Sequence, residues 1–164
     1  MKTFLHPLQN LAEMEAIYTK AKSNRGILEI SGCMESQKAH LIYGFSGLFP
    51  SHLILSEDEK SAKELYEDYR FYDKNVYYYP AKDMLFFQAD IHGNLLIRQR
   101  MRVIKALLEQ KESITVITSV DGCLDYLQPL DKIEKQLIHF RNDSTLDMDN
   151  IKDALGHLGY ERVG

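Results

Sequence analysis

The stretch SITVITS, residues 113–119, is the strongest strand signal in the sequence. It is short, apolar and rich in β-branched residues, which is typical of a strand that is buried on both faces of a parallel sheet. Two weaker strands precede it, SHLILS at 51–56 and NVYYYP at 75–80, and amphipathic helices are predicted around them. This alternation predicts an α/β protein with a mostly parallel sheet flanked by helices.

Local patterns predict the other elements of this first region. Helices are expected at about 10–22, 36–48, 56–72 and 94–110, and a further strand at 26–31, GILEIS. Ser56 and Glu59 have the spacing of a capping box at the start of the third helix. The expected buried residues are Leu41, Ile42 and Phe45 in the second helix, and Leu96 or Ile97, Met101, Ile104, Leu107 and Leu108 in the fourth. Residues 81–94 show no clear period and are interpreted as a long loop.

The character of the sequence changes after about Lys132. KQLIHFRND at 135–143 alternates like a half-exposed strand, and STLDMDNIKDALGHLG at 144–159 predicts a capped helix. YERVG at 160–164 has the pattern of another strand. We therefore expect a first domain at 1–132 and the beginning of a smaller α+β domain at 133–164.

Composition and charge exclude several classes of function. The net charge of −4 offers no overall attraction for nucleic-acid phosphates, so strong nucleic-acid binding is not expected. Cys33 and Cys123 have no partner spacing, which fits reduced thiols and a cytoplasmic protein. The histidines lack the spacing of a zinc site. The sequence shows neither a signal peptide nor an apolar run of about 20 residues, so no membrane attachment is expected.

The stretch ISGCMESQKAHLI, residues 30–42, nearly matches the phosphate-binding P-loop, G-x-x-x-x-G-K-[ST]. Gly32 and Lys38 stand at the required spacing, but Gln37 replaces the second glycine and Ala39 replaces the hydroxyl residue. Ala39 cannot ligate Mg²⁺, and Gln37 carries a side chain where the close approach of a phosphate needs none. The pattern is therefore a degenerate P-loop at best.

Two interpretations of this loop remain open from the residues alone. In the first, Gly32 makes a strand-to-helix turn and Lys38 is solvated, which is favoured because a lone glycine–lysine match is a weak motif. In the second, the chain is an active nucleotide-binding domain in which Ser36 supplies the hydroxyl ligand. Glu35 argues against the second interpretation, because its carboxylate would repel a triphosphate.

Two other groups of residues are expected to have structural roles. The run YEDYRFYDKNVYYYP at 66–80 has the aromatic content to stack bases, but Tyr66 and Tyr69 follow the spacing of a buried helix face. Packing is therefore the favoured role for these tyrosines. The basic residues of the fourth helix are spread around it and are predicted to be solvated; they are Arg98, Arg100, Arg102 and Lys105.

A longer series of segments resembles a known family. The segments are LILSEDEKSAKELYEDYRFY at 53–72, PAKDMLFFQADIHGN at 80–94 with RQR at 98–100, and LGYERV at 158–163. Their order is similar to that of the N-terminal region of bacterial transcription-repair coupling factors, the Mfd family, which in turn is similar to the first domain of the excision-repair helicase UvrB. The resemblance covers about residues 8–163. AKDMLFF at 81–87 departs from the Trp-Glu and Leu-Pro-Tyr-Asp pattern that the family often has there.

The resemblance implies a UvrB-like domain 1a at 1–132 and a truncated UvrA-docking domain 2 at 133–164. It implies that Gly32, Gln37, Lys38 and Ala39 are the remnant of a P-loop, and that this region has no catalytic residue, cofactor or metal. The implied role is to help recruit UvrA and to take part in autoinhibition by contacting the C-terminal domains of the parent protein. ATP and Mg²⁺ would belong to motor domains outside this chain, and the UvrA-contact residues are expected beyond Gly164.

Overall fold

A computed structural model of the chain describes residues 4–23, 26–82, 91–109, 113–138, 147–157 and 160. The chain forms two compact units, residues 1–125 and 126–164. The division after Asp125 falls shortly before the expected domain boundary at 132. The assignment of these units to UvrB-like domains 1a and 2 stays a prediction.

A three-stranded parallel sheet forms the centre of the first unit. Its strands are β1 (Ser51–Ser56), β2 (Val76–Tyr79) and β3 (Ile114–Ser119). The order is β1-β3-β2, so the apolar strand SITVITS lies in the middle, and Val116 pairs with Leu53 on one side and Tyr77 on the other. All six residues of β3 are buried. The prediction of an α/β protein with a parallel sheet is confirmed.

Six helices accompany this sheet within the described part of the first unit. They are α1 (His6–Gln9), α2 (Ala12–Ser23), α3 (Glu35–Phe45), α4 (Glu59–Tyr69), α5 (Ile91–Glu109) and α6 (Val120–Leu124). Four of them correspond to the helices predicted from periodicity. The start of α5 at Ile91 corrects the expected loop at 81–94, because residues 91–94 are already helical.

The two faces of the sheet carry separate apolar clusters. On one face, Ile117 packs with Ala62 and Tyr69 of α4 and with residues of α3. On the other face, Val116 packs with Val103 of α5. Because successive residues of a strand point to opposite faces, β3 supplies the centre of both layers. The carboxyl ends of all three strands are thereby held at one edge of the sheet.

The expected strand at 26–31 is not formed. Residues 27–30 belong to no strand, and Ile27 is 93% exposed. Leu28 and Ile30 line a cavity with Phe45 of α3 instead of entering the sheet. The apolar residues of this segment therefore border a cavity rather than pair with a strand.

The expected capping box of α4 is also wrong. Ser56 ends β1, and the N-cap residue is Asp58, whose carboxylate accepts a hydrogen bond of 2.7 Å from the backbone N–H of Ser61. This hydrogen bond lowers the pKa of Asp58. The Glu59 side chain is therefore free for another role, described below.

The buried side of α3 differs from the expected one. Ala39, Tyr43 and Gly44 are buried, whereas Leu41, Ile42 and Phe45 are only partly buried. Gly44 is needed for close packing, since a Cβ atom there would lie 2.9 Å from Leu8 Cδ1. The helix consequently buries Tyr43 and two small residues, whereas Leu41, Ile42 and Phe45 lie at the margin of the core.

The second unit contains α7 (Leu130–Lys135) and α8 (Met148–His157). The position of α8 confirms the helix predicted within 144–159 in its described part. Residues 136–138 are not in a strand, and the rest of the strand expected at 135–143 lies outside the described residues, as does most of YERVG. Across the described residues of both units, no helix is long and apolar enough to span a membrane.

Candidate functional site at the carboxyl edge of the sheet

The degenerate P-loop lies between residues 31 and 39. Gly32 has φ +80°, a left-handed conformation that favours glycine. The chain then becomes extended at Met34, and α3 begins at Glu35. Gln37 and Lys38 therefore stand in the first turn of a regular helix. The N–H of Gln37 donates a hydrogen bond of 2.9 Å to the carbonyl oxygen of Met34, so this amide is used within the turn.

Lys38 is paired within its own helix turn. Its ammonium group donates a hydrogen bond to the carboxylate of Glu35, and about half of the Lys38 side chain is exposed. This hydrogen bond raises the pKa of Lys38, and the negative charges of Glu35 and Glu57 raise it further. A lysine that binds phosphate must offer its charge to the ligand. Here acidic side chains surround that charge, which opposes the approach of a triphosphate.

Ala39 occupies the position of the Mg²⁺-binding hydroxyl residue, but it faces the core. It is 3% exposed and belongs to the cluster that includes Tyr43 and Ile117. Ser36, the alternative hydroxyl ligand, is exposed in the first turn of α3. The structure thus places Gly32 in the loop before α3 and Gln37, Lys38 and Ala39 at the start of the helix, with Lys38 bound to Glu35 and Ala39 packed inside.

A groove of about 560 Å³ borders this loop. Apolar side chains make up about half of its lining, among them Leu8 of α1 and Met14 and Ile17 of α2, and residues of the loop and of α3 complete it, including Gly32 and Gln37. Glu13 contributes a carboxylate to the same groove. The lining is suited to apolar contact rather than to phosphate binding, which depends on backbone N–H groups and cationic side chains.

The carboxyl ends of β2 and β3 meet the start of α4 at Glu59. One Glu59 oxygen accepts hydrogen bonds from the Tyr78 hydroxyl and from the N–H of Ala81, the latter at 3.2 Å. The other oxygen accepts a hydrogen bond of 2.6 Å from the hydroxyl of Ser119. Burial raises the pKa of the Tyr78 hydroxyl, and the hydrogen bond to Glu59 raises it further. Glu59 therefore joins two strand ends to one helix.

Ser119 extends this network to α6. Its hydroxyl oxygen accepts a hydrogen bond of 3.0 Å from the N–H of Gly122 and so caps the helix. Gly122 lies close to its neighbours, since a Cβ atom there would stand 2.4 Å from Thr118 Oγ1. This arrangement was not predicted from the sequence, because the spacing of Ser56 and Glu59 indicated a local cap. The sequence signal for it was Ser119, a serine at the end of the apolar strand that is followed three residues later by Gly122.

Arg100 corrects the expectation of a solvated basic helix. It is 7% exposed, and its guanidinium group lies 4.1 Å from the centre of the Tyr79 ring. It donates hydrogen bonds to the carbonyl oxygen of Pro80 at 2.7 Å and to the carboxylate of Asp125 at 2.8 Å. Asp125 also accepts a hydrogen bond of 3.1 Å from the N–H of Lys82. The guanidinium group therefore connects α5 with the end of β2 and with the segment after α6.

The helical register explains why Arg100 is inside. Arg100, Val103, Ile104 and Leu107 are spaced three, four and seven residues apart on one side of α5. Met101, which was expected on that side, is exposed. The sequence signal for this buried charge was an arginine at helical spacing from three apolar residues.

The tyrosine-rich run packs as expected. Tyr69 is 1% exposed within the core, and the rings of Tyr66 and Tyr78 lie 5.7 Å apart. The prediction that these tyrosines serve packing is confirmed for Tyr69 and, in part, for Tyr66. In the described residues, no group of three or more His, Cys, Asp or Glu side chains is arranged to hold a metal ion.

The polar groups at this edge of the sheet are hydrogen bonded to one another and have a structural role. The Glu59 and Asp125 carboxylates accept several hydrogen bonds each from protein groups. Charged groups paired in this way stabilise the positions of strand ends and helices.

Compared with known proteins, the chain matches no family model and no curated protein. The resemblance to the Mfd family therefore depends only on the sequence segments quoted above.

Proposed function

We propose that this chain is a non-catalytic interaction module from the N-terminal region of a transcription-repair coupling factor. The observation that carries the proposal is the pairing of Lys38 with Glu35 in the first turn of α3. This pairing occupies the one cation that the P-loop pattern retains. The resemblance of the segments at 53–72, 80–94 and 158–163 to the Mfd family supplies the biological context.

Three features of the loop argue against nucleotide chemistry. Glu35 and Glu57 place negative charge beside Lys38, where a triphosphate would have to sit. Ala39 has no hydroxyl group and is buried. The amide of Gln37 is already hydrogen bonded to Met34. Each of the three groups that a P-loop uses, namely cation, hydroxyl and amide, is thus missing or engaged.

In this proposal the α/β unit is a UvrB-like domain 1a that serves as a scaffold, and the second unit begins the UvrA-docking domain 2. The module links stalled transcription to nucleotide excision repair by helping to recruit UvrA. It also contributes to autoinhibition through contacts with the C-terminal domains of the parent protein. The ATP-dependent motor, with its Mg²⁺, would lie outside this chain.

Thermal unfolding with and without Mg-ATP tests the loop. A ligand at about 100 times its dissociation constant adds about 2.7 kcal/mol to the free energy of unfolding, which is a shift of several degrees for a chain of this size. We expect no shift at millimolar Mg-ATP. A shift that disappears in Lys38→Ala but persists in Lys63→Ala, an exposed lysine of α4, would contradict the proposal.

Binding to UvrA tests the biological context separately. A chain extended beyond Gly164 to complete the second domain should bind UvrA, whereas residues 1–164 alone should bind it much more weakly. Both can be compared by surface plasmon resonance at the same ionic strength. Absence of binding by the extended chain would reject the role in UvrA recruitment, whatever the result with ATP.

An active nucleotide-binding domain is the second candidate. It is favoured by the left-handed Gly32 and by the groove of about 560 Å³ beside it, which has room for a base. In this case Lys38 would exchange Glu35 for a phosphate, and Ser36 would provide the hydroxyl. The Mg-ATP titration described above distinguishes the two candidates.

A further inference from the structure

The two outer strands of the sheet differ in how well they are protected. β2 is short, and its first and last residues, Val76 and Tyr79, are buried. β1 is longer, and its Leu53 and Leu55 side chains are 61% and 51% exposed. α5 packs on β2 and β3, so the same side of β1 is left open. β1 is therefore the edge of the sheet that is accessible to a further strand.

The outward backbone groups of β1 are unpaired within the described part of the chain. The N–H of Ile114 donates a hydrogen bond to the carbonyl oxygen of Pro50, so His52 and Ile54 also direct their backbone groups toward β3. The backbone groups of Leu53 and Leu55 point away from the sheet, and no hydrogen bond among the described residues includes them. Natural edge strands often carry a charged residue or a proline that opposes pairing, and β1 has neither.

The sequence of β1, SHLILS, is nearly the same in both directions about Ile54. In an antiparallel pair of two copies centred on Ile54, Leu53 of each copy lies opposite Leu55 of the other. Each of these pairs exchanges both of its backbone hydrogen bonds, because the groups of Leu53 and Leu55 point outward. The leucine side chains of both copies meet on the α5 side of the sheet, since Leu53 pairs with Val116 of the α5 layer. Cross-strand contacts of this kind stabilise a sheet.

We propose that β1 is a homodimer interface, at which two copies of the chain pair their β1 strands antiparallel about a two-fold axis at Ile54. A second copy fits this edge because the same residues meet on both sides of the axis, as a two-fold interface requires. The pairing brings no like charges opposite each other. Glu57, the first acidic residue after β1, lies opposite Ser51 of the second copy. The interface is independent of the degenerate P-loop and of the proposed role in repair.

Sedimentation equilibrium of the chain over a range of concentrations tests the proposal. We expect a dimer with a dissociation constant of roughly 10–100 µM, since the pairing of one short strand gives a small interface. Leu53→Pro removes an outward N–H group and leaves the hydrogen bonds between β1 and β3 in place. This substitution should weaken the dimer by roughly ten-fold or more. A chain that stays monomeric up to about 1 mM would leave β1 to a strand of another protein and would overturn the proposal.

Two complementary variants test the register of the pairing. Leu53→Lys and Leu55→Glu each place a charge among the leucines, and each variant alone should be mostly monomeric. An equal mixture of the two should form a heterodimer, because the introduced lysine then lies opposite the introduced glutamate. Leu124→Lys, at a residue of α6 that is 79% exposed, is the control and should dimerise like the unmodified chain. A dimer that all three β1 substitutions leave unchanged, or a mixture that stays monomeric, would contradict the pairing centred on Ile54.

Discussion

The hydroxyl of Ser119 donates a hydrogen bond of 2.6 Å to the carboxylate of Glu59, and this contact joins the end of the central strand to the first turn of α4. The two residues are 60 positions apart in the chain. Tyr78 donates to the same carboxylate from the neighbouring strand. One acidic side chain therefore joins the carboxyl ends of β2 and β3 to α4, at the edge of the sheet where open α/β folds commonly bind their ligands.

Replacing Glu59 should destabilise the first unit. Glu59→Ala leaves the hydroxyls of Tyr78 and Ser119 without their acceptor, and an unpaired partly buried donor costs about 1–3 kcal/mol. We expect the free energy of unfolding in urea to fall by about 2 kcal/mol. Glu64→Ala, an exposed residue of the same helix, is the control and should change it by less than about 0.5 kcal/mol. Equal effects of both substitutions would show that the network contributes nothing to stability.

The local patterns of the sequence were sufficient for the sheet and for most helices. SITVITS predicts a strand buried on both faces of the sheet, because such burial requires a continuous apolar run, and the periodicity of α4 is a property of its own residues alone. GILEIS was predicted as a strand from its apolar residues, but Leu28 and Ile30 line a cavity with Phe45 and pair with no strand. A short apolar segment therefore does not by itself identify a pairing partner.

The polar contacts of the candidate site could not be predicted in the same way. Glu59 and Ser119, and likewise Arg100 and Asp125, meet only after the sheet has brought distant segments together. Periodicity describes one element at a time, so it contains no information on which charge of one helix meets which residue of another segment. The missing hydroxyl of the loop at Gly32–Ala39 could be predicted, since the identity of Ala39 is a property of the sequence itself.

Arg100 provides a prediction about buried charge. Arg100→Met keeps the length and apolar stem but leaves Asp125 without its cation, and breaking a buried ion pair costs about 3 kcal/mol. Chemical denaturation should show a loss of that order. Arg102→Met, exposed on the same helix, is expected to stay within about 0.5 kcal/mol of the unmodified chain. If the two variants were equally stable, Arg100 would not be part of the core.

Tyr69 provides a prediction about pH. Burial raises its pKa to about 12, from an ordinary value of 10.0 in the unfolded chain. The folded state therefore holds the proton more tightly, so this contribution to stability is complete below pH 10 and is lost as the pH rises to about 12. The loss should approach about 2–3 kcal/mol. Unfolding free energies measured between pH 9 and about pH 12 should fall less steeply for Tyr69→Phe. Tyr126→Phe, an exposed control, should keep the original slope.

Ala39 tests whether the P-loop can be restored by its missing hydroxyl. Threonine at this position would place a hydroxyl and a methyl group in a core that leaves Ala39 only 3% exposed. Overpacking of this kind costs about 1–3 kcal/mol, so Ala39→Thr should lower the melting temperature by several degrees. The variant should also gain no stabilisation from Mg-ATP, since its hydroxyl would face Tyr43 rather than the loop. Ser36→Thr adds a methyl group on the exposed side of the same helix and should be nearly neutral. A stable Ala39→Thr that Mg-ATP protects against unfolding would mean that this residue faces a nucleotide site, and the scaffold role would then be wrong.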